Sequence, residues 1–142
     1  MRADIIGKLD PKTQEITEYP VPKLAAPRRI TVDSKGNIWF TEWRRSKVAR
    51  MHPDTGEITE FDMPQANSDP YDLMVDVEGK VWVTGFQSNT IVHLDPATGK
   101  TMEYPIPTPK SEVRKMWADP KQGVWWAGSH SDTIGHAVLV KD

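Results

Sequence analysis

The chain has no cysteine, which excludes disulfides, thiolate metal sites and thiol nucleophiles outright. That absence leaves the compartment open, because secreted proteins without cysteine exist. A charge excess of one sign is also missing: 18 basic and 20 acidic side chains leave a formal −2, without the basic surplus of a nucleic-acid binder. No apolar run approaches the ~18 residues that span a bilayer, and the N-terminus lacks a signal-peptide core. The default expectation is therefore a cytoplasmic protein with neither nucleic-acid nor membrane partners, or a secreted or periplasmic one if the chain is part of a longer protein. Helical periodicity is absent throughout. Pro and Gly, 12 and 9 of 142 residues, are too close to ordinary usage for disorder or collagen. What remains is one ordinary domain with 37% hydrophobic residues for a modest core.

What the sequence does have is a repeat. Val32-Asp33-Ser34-Lys35-Gly36-Asn37-Ile38-Trp39 recurs as Val75-Asp76-Val77-Glu78-Gly79-Lys80-Val81-Trp82, and again as Ala118 to Trp125. Trp39, Trp82 and Trp125 are each 43 residues apart. A second element, Asp10-Pro11-Lys12-Thr13-Gln14, returns as His52-Pro53-Asp54-Thr55-Gly56 and Asp95-Pro96-Ala97-Thr98-Gly99. Each period holds four short segments rich in β-branched and aromatic residues, as in Asp72–Val75, Val81–Thr84, Thr90–Leu94 and Thr101–Tyr104. Four strands in a period of about 40–45 residues is the blade of a β-propeller. The predicted fold is all-β, with blades of four antiparallel strands and about three blades per chain. The recurring Trp is expected to pack between blades, since large aromatics carry much of the buried area in such cores.

Counting from the N-terminus gives strands three and four of a partial blade over 1–22, full blades over 27–64 and 70–107, and an incomplete last blade over 113–140. Propellers close with about four to eight blades, so a chain of this extent leaves its ring open. Either two copies complete a ring of about six blades, or the chain is a piece of a longer propeller. The homodimer is the favoured reading. It carries one surplus, because a strand-three segment occurs at both ends (Ile5–Leu9 and Thr133–Val140).

Comparing the copies separates two faces. The Asp-x-x-Gly and Pro-x-Thr-Gly loops repeat almost unchanged, which is turn chemistry. On the other face Glu42-Trp43-Arg44-Arg45 becomes Gly85-Phe86-Gln87-Ser88 and then Gly128-Ser129-His130-Ser131, while Pro27-Arg28-Arg29 becomes Pro70-Tyr71-Asp72 and Val113-Arg114-Lys115. Variable loops on a rigid scaffold are where function sits. That face would carry Arg28, Arg29, Arg44, Arg45, Arg114 and Lys115 against Glu42, Asp69, Asp72, Glu112 and Asp132, with Trp43, Tyr71 and Phe86 interleaved. Arg binds carboxylate or phosphate through a planar fork, and aromatic faces stack on rings. A small molecule or peptide with an anionic group and an apolar body would suit it, held by Arg28, Arg29, Trp43, Arg44, Tyr71, Asp72, Phe86, Arg114 and Lys115.

Four histidines are available. His52 replaces Asp in a turn, and His93 and His136 share the strand-three position of Lys8 and Arg50. His130, beside Ser129, Ser131 and Asp132 on the variable face, is a candidate contact or general base. Asp69 and Asp72 could work as an acid–base pair or hold Mg²⁺, or simply cap a turn. No His, Asp or Glu set has zinc-ligand spacing, and no Gly-rich phosphate loop is present; no metal ligands are assigned.

The stretches Ile38-Trp39-Phe40-Thr41-Glu42-Trp43, Glu15-Ile16-Thr17-Glu18-Tyr19-Pro20-Val21-Pro22 and Ile6-Gly7-Lys8-Leu9-Asp10 resemble the virginiamycin B lyase (streptogramin lyase) family, from about Asp4 to His136. The resemblance implies a seven-bladed propeller about twice this length. It further implies Mg²⁺-dependent elimination that linearises cyclic streptogramin B antibiotics, with a His base and a metal-stabilised enolate. The family's chemistry sits in Pro-His and Glu-Pro-His sequences where strand one begins. Matching segments here are Pro27-Arg28-Arg29-Ile30, Pro70-Tyr71-Asp72-Leu73 and Glu112-Val113-Arg114-Lys115-Met116. Tyr71 matches a family tyrosine and Glu112 the family glutamate, but Arg28 and Arg114 stand where the catalytic histidines would be. A guanidinium stays protonated at neutral pH and makes a poor base. The leading expectation is thus a lyase-like propeller module that binds an anionic ligand or serves as an assembly scaffold. The rivals are a Mg²⁺-dependent carbon–oxygen lyase using Glu112, His130 and Tyr71, and a purely structural repeat array.

Overall fold

Short β-branched segments punctuated by Asp, Gly and Pro turns fold, in a computed structural model, into four antiparallel sheets in chain order. The structure describes residues 4–119 and 123–138. The first sheet pairs β1 (Ile5–Leu9) with β2 (Ile16–Pro20). The second runs β3 (Pro27–Val32), β4 (Ile38–Glu42), β5 (Lys47–Met51), β6 (Ile58–Asp62). The third runs β7 (Pro70–Val75), β8 (Val81–Gly85), β9 (Thr90–Leu94), β10 (Thr101–Pro105). The fourth holds β11 (Val113–Asp119), β12 (Gly123–Gly128) and β13 (Thr133–Ala137). Within each sheet consecutive strands pair, the meander of propeller blades. The expected continuation of the last strand to Val140 lies outside the described residues. One 3₁₀ turn, Trp43–Arg45, follows β4 where the sequence shows no helical signal.

The repeated Asp-x-x-Gly-x-x-Trp has a clear physical task. Asp33 accepts the backbone N–H groups of Lys35 and Asn37 and the indole N–H of Trp39 at 3.0 Å. Asp76 does the same for Glu78, Lys80 and Trp82. One carboxylate therefore closes the turn and holds the indole of the core tryptophan on the next strand. Burial of a Trp needs a partner for its N–H, and the turn supplies it.

Hydrophobic packing runs from sheet to sheet. Trp39, Val48 and Met63 of the second sheet meet Leu73, Val81, Val83, Val92 and Leu94 of the third. Trp82, Ile91 and Ile106 meet Val113, Met116 and Val124 of the fourth. Ile6, Val21 and Ala25 cover Phe40, Ala49 and Met51. Trp39 and Trp82 thus pack between blades, as the repeat predicts. Trp125 departs from that expectation. It is 43% exposed, because among the described residues no sheet follows the fourth.

Candidate functional site

Strand one of every blade enters the arc through the same irregularity. A left-handed residue comes first: Ala26, Asp69 and Glu112, with φ of 47°, 48° and 47°. A register shift follows, between Pro27 and Ile30, between Pro70 and Leu73, and between Val113 and Lys115. Such bulges re-aim side chains at sheet edges and sites. Here the displaced residues are Arg28 and Arg29, Tyr71 and Asp72, and Arg114. The threonines of strand two secure two of the bulges, Thr41 accepting from the Arg29 amide at 3.2 Å and Thr84 from the Asp72 amide at 2.9 Å.

The loops after strand two are tied to the same edge by backbone bonds. Phe86 donates to the Asp69 carbonyl, Gln87 to Ser68 and His130 to Ser111. These bonds bring the two variable loop sets onto one face. Trp43, Tyr71 and Phe86, from separate blades or loops, form a triangle with centroids 5.4–5.6 Å apart. Guanidinium groups ring it. Arg28 lies 4.5 Å from the Trp43 centroid and 5.8 Å from Tyr71, Arg29 lies 5.0 Å from Tyr71, and Arg114 lies 5.6 Å from Phe86. Each stack contributes roughly 0.5–2 kcal/mol and holds the cation in place at the rim. Arg28, Arg29, Arg114 and Lys115 are exposed.

Not every residue of the variable face reaches this mouth. Asp72 is buried, its carboxylate accepting the Met116 amide at 2.8 Å and lying 3.5 Å from Lys115; it fastens blade to blade beneath the rim. Arg44 stands exposed, outside the ring contacts that hold Arg28, Arg29 and Arg114 among the described residues. The Ala26 and Leu24 amides hold the nearby Asp4 carboxyl below its usual range, and the charge of Arg44 adds to that effect. Glu42 and Arg45 do not sit at the mouth where the sequence comparison puts them. Glu42 is fully buried with no hydrogen-bond donor to either carboxylate oxygen, and Arg45 bridges it to Glu60 at 3.4 and 2.8 Å. Burial, then the neighbouring Glu60, raise the Glu42 carboxyl to about 7, against the pull of Arg45 and Lys47. The other copies have Gly85 and Gly128 at this position, so comparing repeats gives no warning of it.

Beside Phe86 a cavity of about 310 Å³ is lined by Gln87, Asn89, Lys110, Glu112 and His130. The structure thus brings the two catalytic candidates to one hollow adjoining the aromatic triangle. Glu112 faces Arg114 at 3.6 Å, and its carbonyl accepts from the Ser129 hydroxyl. Asp69 is half-buried; burial raises its carboxyl while the charge of Arg28 opposes the rise. Among the described residues no group of three or more His, Asp or Glu stands close enough to hold a metal ion. Of the two carboxylates that the sequence offers for Mg²⁺, Asp72 is instead taken up by the Met116 amide and Lys115. His93 packs at a tilt against Trp82 with ring centroids 4.4 Å apart, and His136 stacks on Trp125 at 3.9 Å, both away from the mouth.

Comparison with known proteins bears on this arrangement. The profile of the Virginiamycin B lyase family matches residues 1–137. Selenomethionine-substituted virginiamycin B lyase from Staphylococcus aureus superposes with a TM-score of 0.86 at 30% identity, covering 96% of this chain and 46% of that one. A streptogramin B lyase structure gives 0.85 at 31%, covering 96% and 45%. A catalytically inactive variant of the Staphylococcus aureus enzyme, solved with quinupristin, gives 0.80 at 27%, covering 99% and 50%. No curated protein matches significantly by sequence. The chain spans about half the length of these solved relatives, and it belongs to the virginiamycin B lyase family.

Proposed function

We propose that this chain is a ligand-binding propeller module, whose mouth takes a small molecule or peptide carrying an anionic group on an aromatic or apolar body. In this reading a second copy completes the ring. The single observation that carries the ligand is the triangle of Trp43, Tyr71 and Phe86 rimmed by Arg28, Arg29 and Arg114. The rings receive the apolar body, and the guanidinium groups take the charge through bidentate contacts. Lys115, next to Arg114, adds to the positive field. Arginine at both strand entrances suits anion capture better than proton abstraction.

Isothermal titration with naphthoate, an aromatic carboxylate, tests the reading. Arg28→Ala combined with Arg114→Ala is expected to weaken binding roughly tenfold or more, since each charged contact contributes about 1.5–3 kcal/mol. Unchanged binding of naphthoate by the double variant would refute the site.

A second reading, carbon–oxygen lyase chemistry, has one observation in its favour: Glu112 and His130 line one cavity beside Phe86. The relative solved with quinupristin makes a streptogramin B the substrate to try. Elimination opens the ring without changing mass, so a new chromatographic peak of equal mass, lost in His130→Ala, would favour it.

A further inference from the structure

β5, β9 and β13 occupy the third position of their sheets, and β1, paired with β2 alone, aligns with them residue by residue. Gly7, Ala49 and Val92 each face a glutamate of the neighbouring outer strand (Glu18, Glu60, Glu103). On the inner side Ala49 faces Phe40, Val92 faces Val83 and Gly135 faces Trp126. A Cβ built on Gly135 would overlap the Trp126 ring. The Trp126 strand therefore demands glycine at that place, and of the four strands only β13 and β1 supply it. In β1 nothing in the chain requires it: the space beside Gly7 holds only the Ile16 Cγ2, at 4.0 Å. Glycine in an open strand position costs stability, so Gly7 matches a neighbour that the chain itself does not provide.

The apolar faces at the two ends are complementary in the same sense. Ile134 is 79% exposed, whereas its counterparts Val48 and Ile91 are 1% exposed. Trp125 and Trp117 are bare beside it. At the other end Ile30 is 55% exposed, while its counterparts Leu73 and Met116 are 2% and 1% exposed, covered by the preceding sheet's Trp face. One end thus shows an uncovered Trp face and the other an uncovered seat for one.

We infer that two copies close a ring by strand exchange, β1–β2 of each copy pairing with β11–β12 of the other in the place that β13 holds in the single chain. This rests on the two-copy reading above and says how it is made. The exchange conserves the ladder, since β1 and β13 are both five residues long and both antiparallel to their neighbours. Ile6 replaces Ile134 and Gly7 replaces Gly135 against Trp126. The gain is burial of Trp117 and Trp125 on Ile30 and Ile38 of the second copy, at about 25 cal/mol per Å² of apolar surface. Each contact joins two different faces, and two such contacts about a two-fold axis close the ring. The surplus third strand noted in the sequence then has a role, as a placeholder displaced on assembly.

Light scattering during gel filtration reads the outcome. The wild-type chain is expected to run at twice its 16.1 kDa mass. Gly7→Val should run as a folded monomer with unchanged circular dichroism, because valine suits the open β1 position but not the one beside Trp126. Gly135→Val should stay dimeric, because β13 is not part of the closed ring. A wild-type monomer at every concentration, a mass that climbs without limit, or a Gly7→Val dimer would each overturn the exchange. The mouth lies within one copy, so naphthoate binding by monomeric Gly7→Val tests the ligand reading separately.

Discussion

The two faces of the arc are carried by the same strands, yet they obey different rules. On the turn face Asp33 and Asp76 make the same bonds to the same positions, and the loops are interchangeable parts. On the mouth face the equivalent positions hold Arg28, Tyr71 and Arg114, or Trp43 and Phe86, and the value of each depends on what the next blade places beside it. Sameness along the repeat marks residues that build a blade. Difference marks residues that act together across blades.

The comparison can be broken at either face. The largest effect is expected in the core beneath the turns. Trp82→Ala should cost about 3–5 kcal/mol. Trp125→Ala should cost less than about 1 kcal/mol where its face is solvent-exposed, and urea unfolding in the Gly7→Val background gives both. Next, Asp76→Ala removes the acceptor for two amides and the Trp82 indole, a loss of about 1–3 kcal/mol. Its naphthoate affinity should match the wild type, since the turn face lies away from the mouth; a matching fall in affinity would merge the two faces into one unit.

Glu42 gives a pH dependence whose direction follows from its raised carboxyl. A folded value of about 7 against an ordinary 4.5 means that the folded state holds the proton more tightly. The contribution is fully present below pH 4.5 and is lost as the pH rises through 7. Glu42→Gln should therefore flatten the decline in melting temperature between pH 5 and 8. A wild-type curve already flat over that range would show that Glu42 ionises freely. The smallest effect is local. Gln14 holds φ of +62° where the other copies have Gly56 and Gly99 at +71°, so Gln14→Gly should raise stability by up to about 1 kcal/mol.

Much of the fold is legible in the sequence because its turns are chemically explicit. Asp with Gly three residues on, and Trp three beyond, leaves little choice of loop or face, and the thirteen strands follow from that punctuation. The mouth is legible in part. Divergence between copies picks out Arg28, Trp43, Tyr71, Phe86 and Arg114, but the 5.4–5.6 Å triangle joins residues up to 43 positions apart. The bulges that aim them follow left-handed Ala26, Asp69 and Glu112, which are not glycines and carry no signal. Glu42 misleads for a different reason: an acidic residue beside a loop reads as exposed, whereas its side chain is buried against Arg45, which it shares with Glu60. Gly7 is the reverse case, an ordinary residue in the sequence that acquires meaning only beside the Trp126 ring.

Backbone amide shift mapping with naphthoate tests the division of the faces most directly. Binding should move the signals of Arg28, Arg29, Trp43, Tyr71, Phe86 and Arg114 and leave the Asp33–Asn37 and Asp76–Lys80 turns still. Shifts centred on those turns, or spread evenly over both faces, would contradict the account.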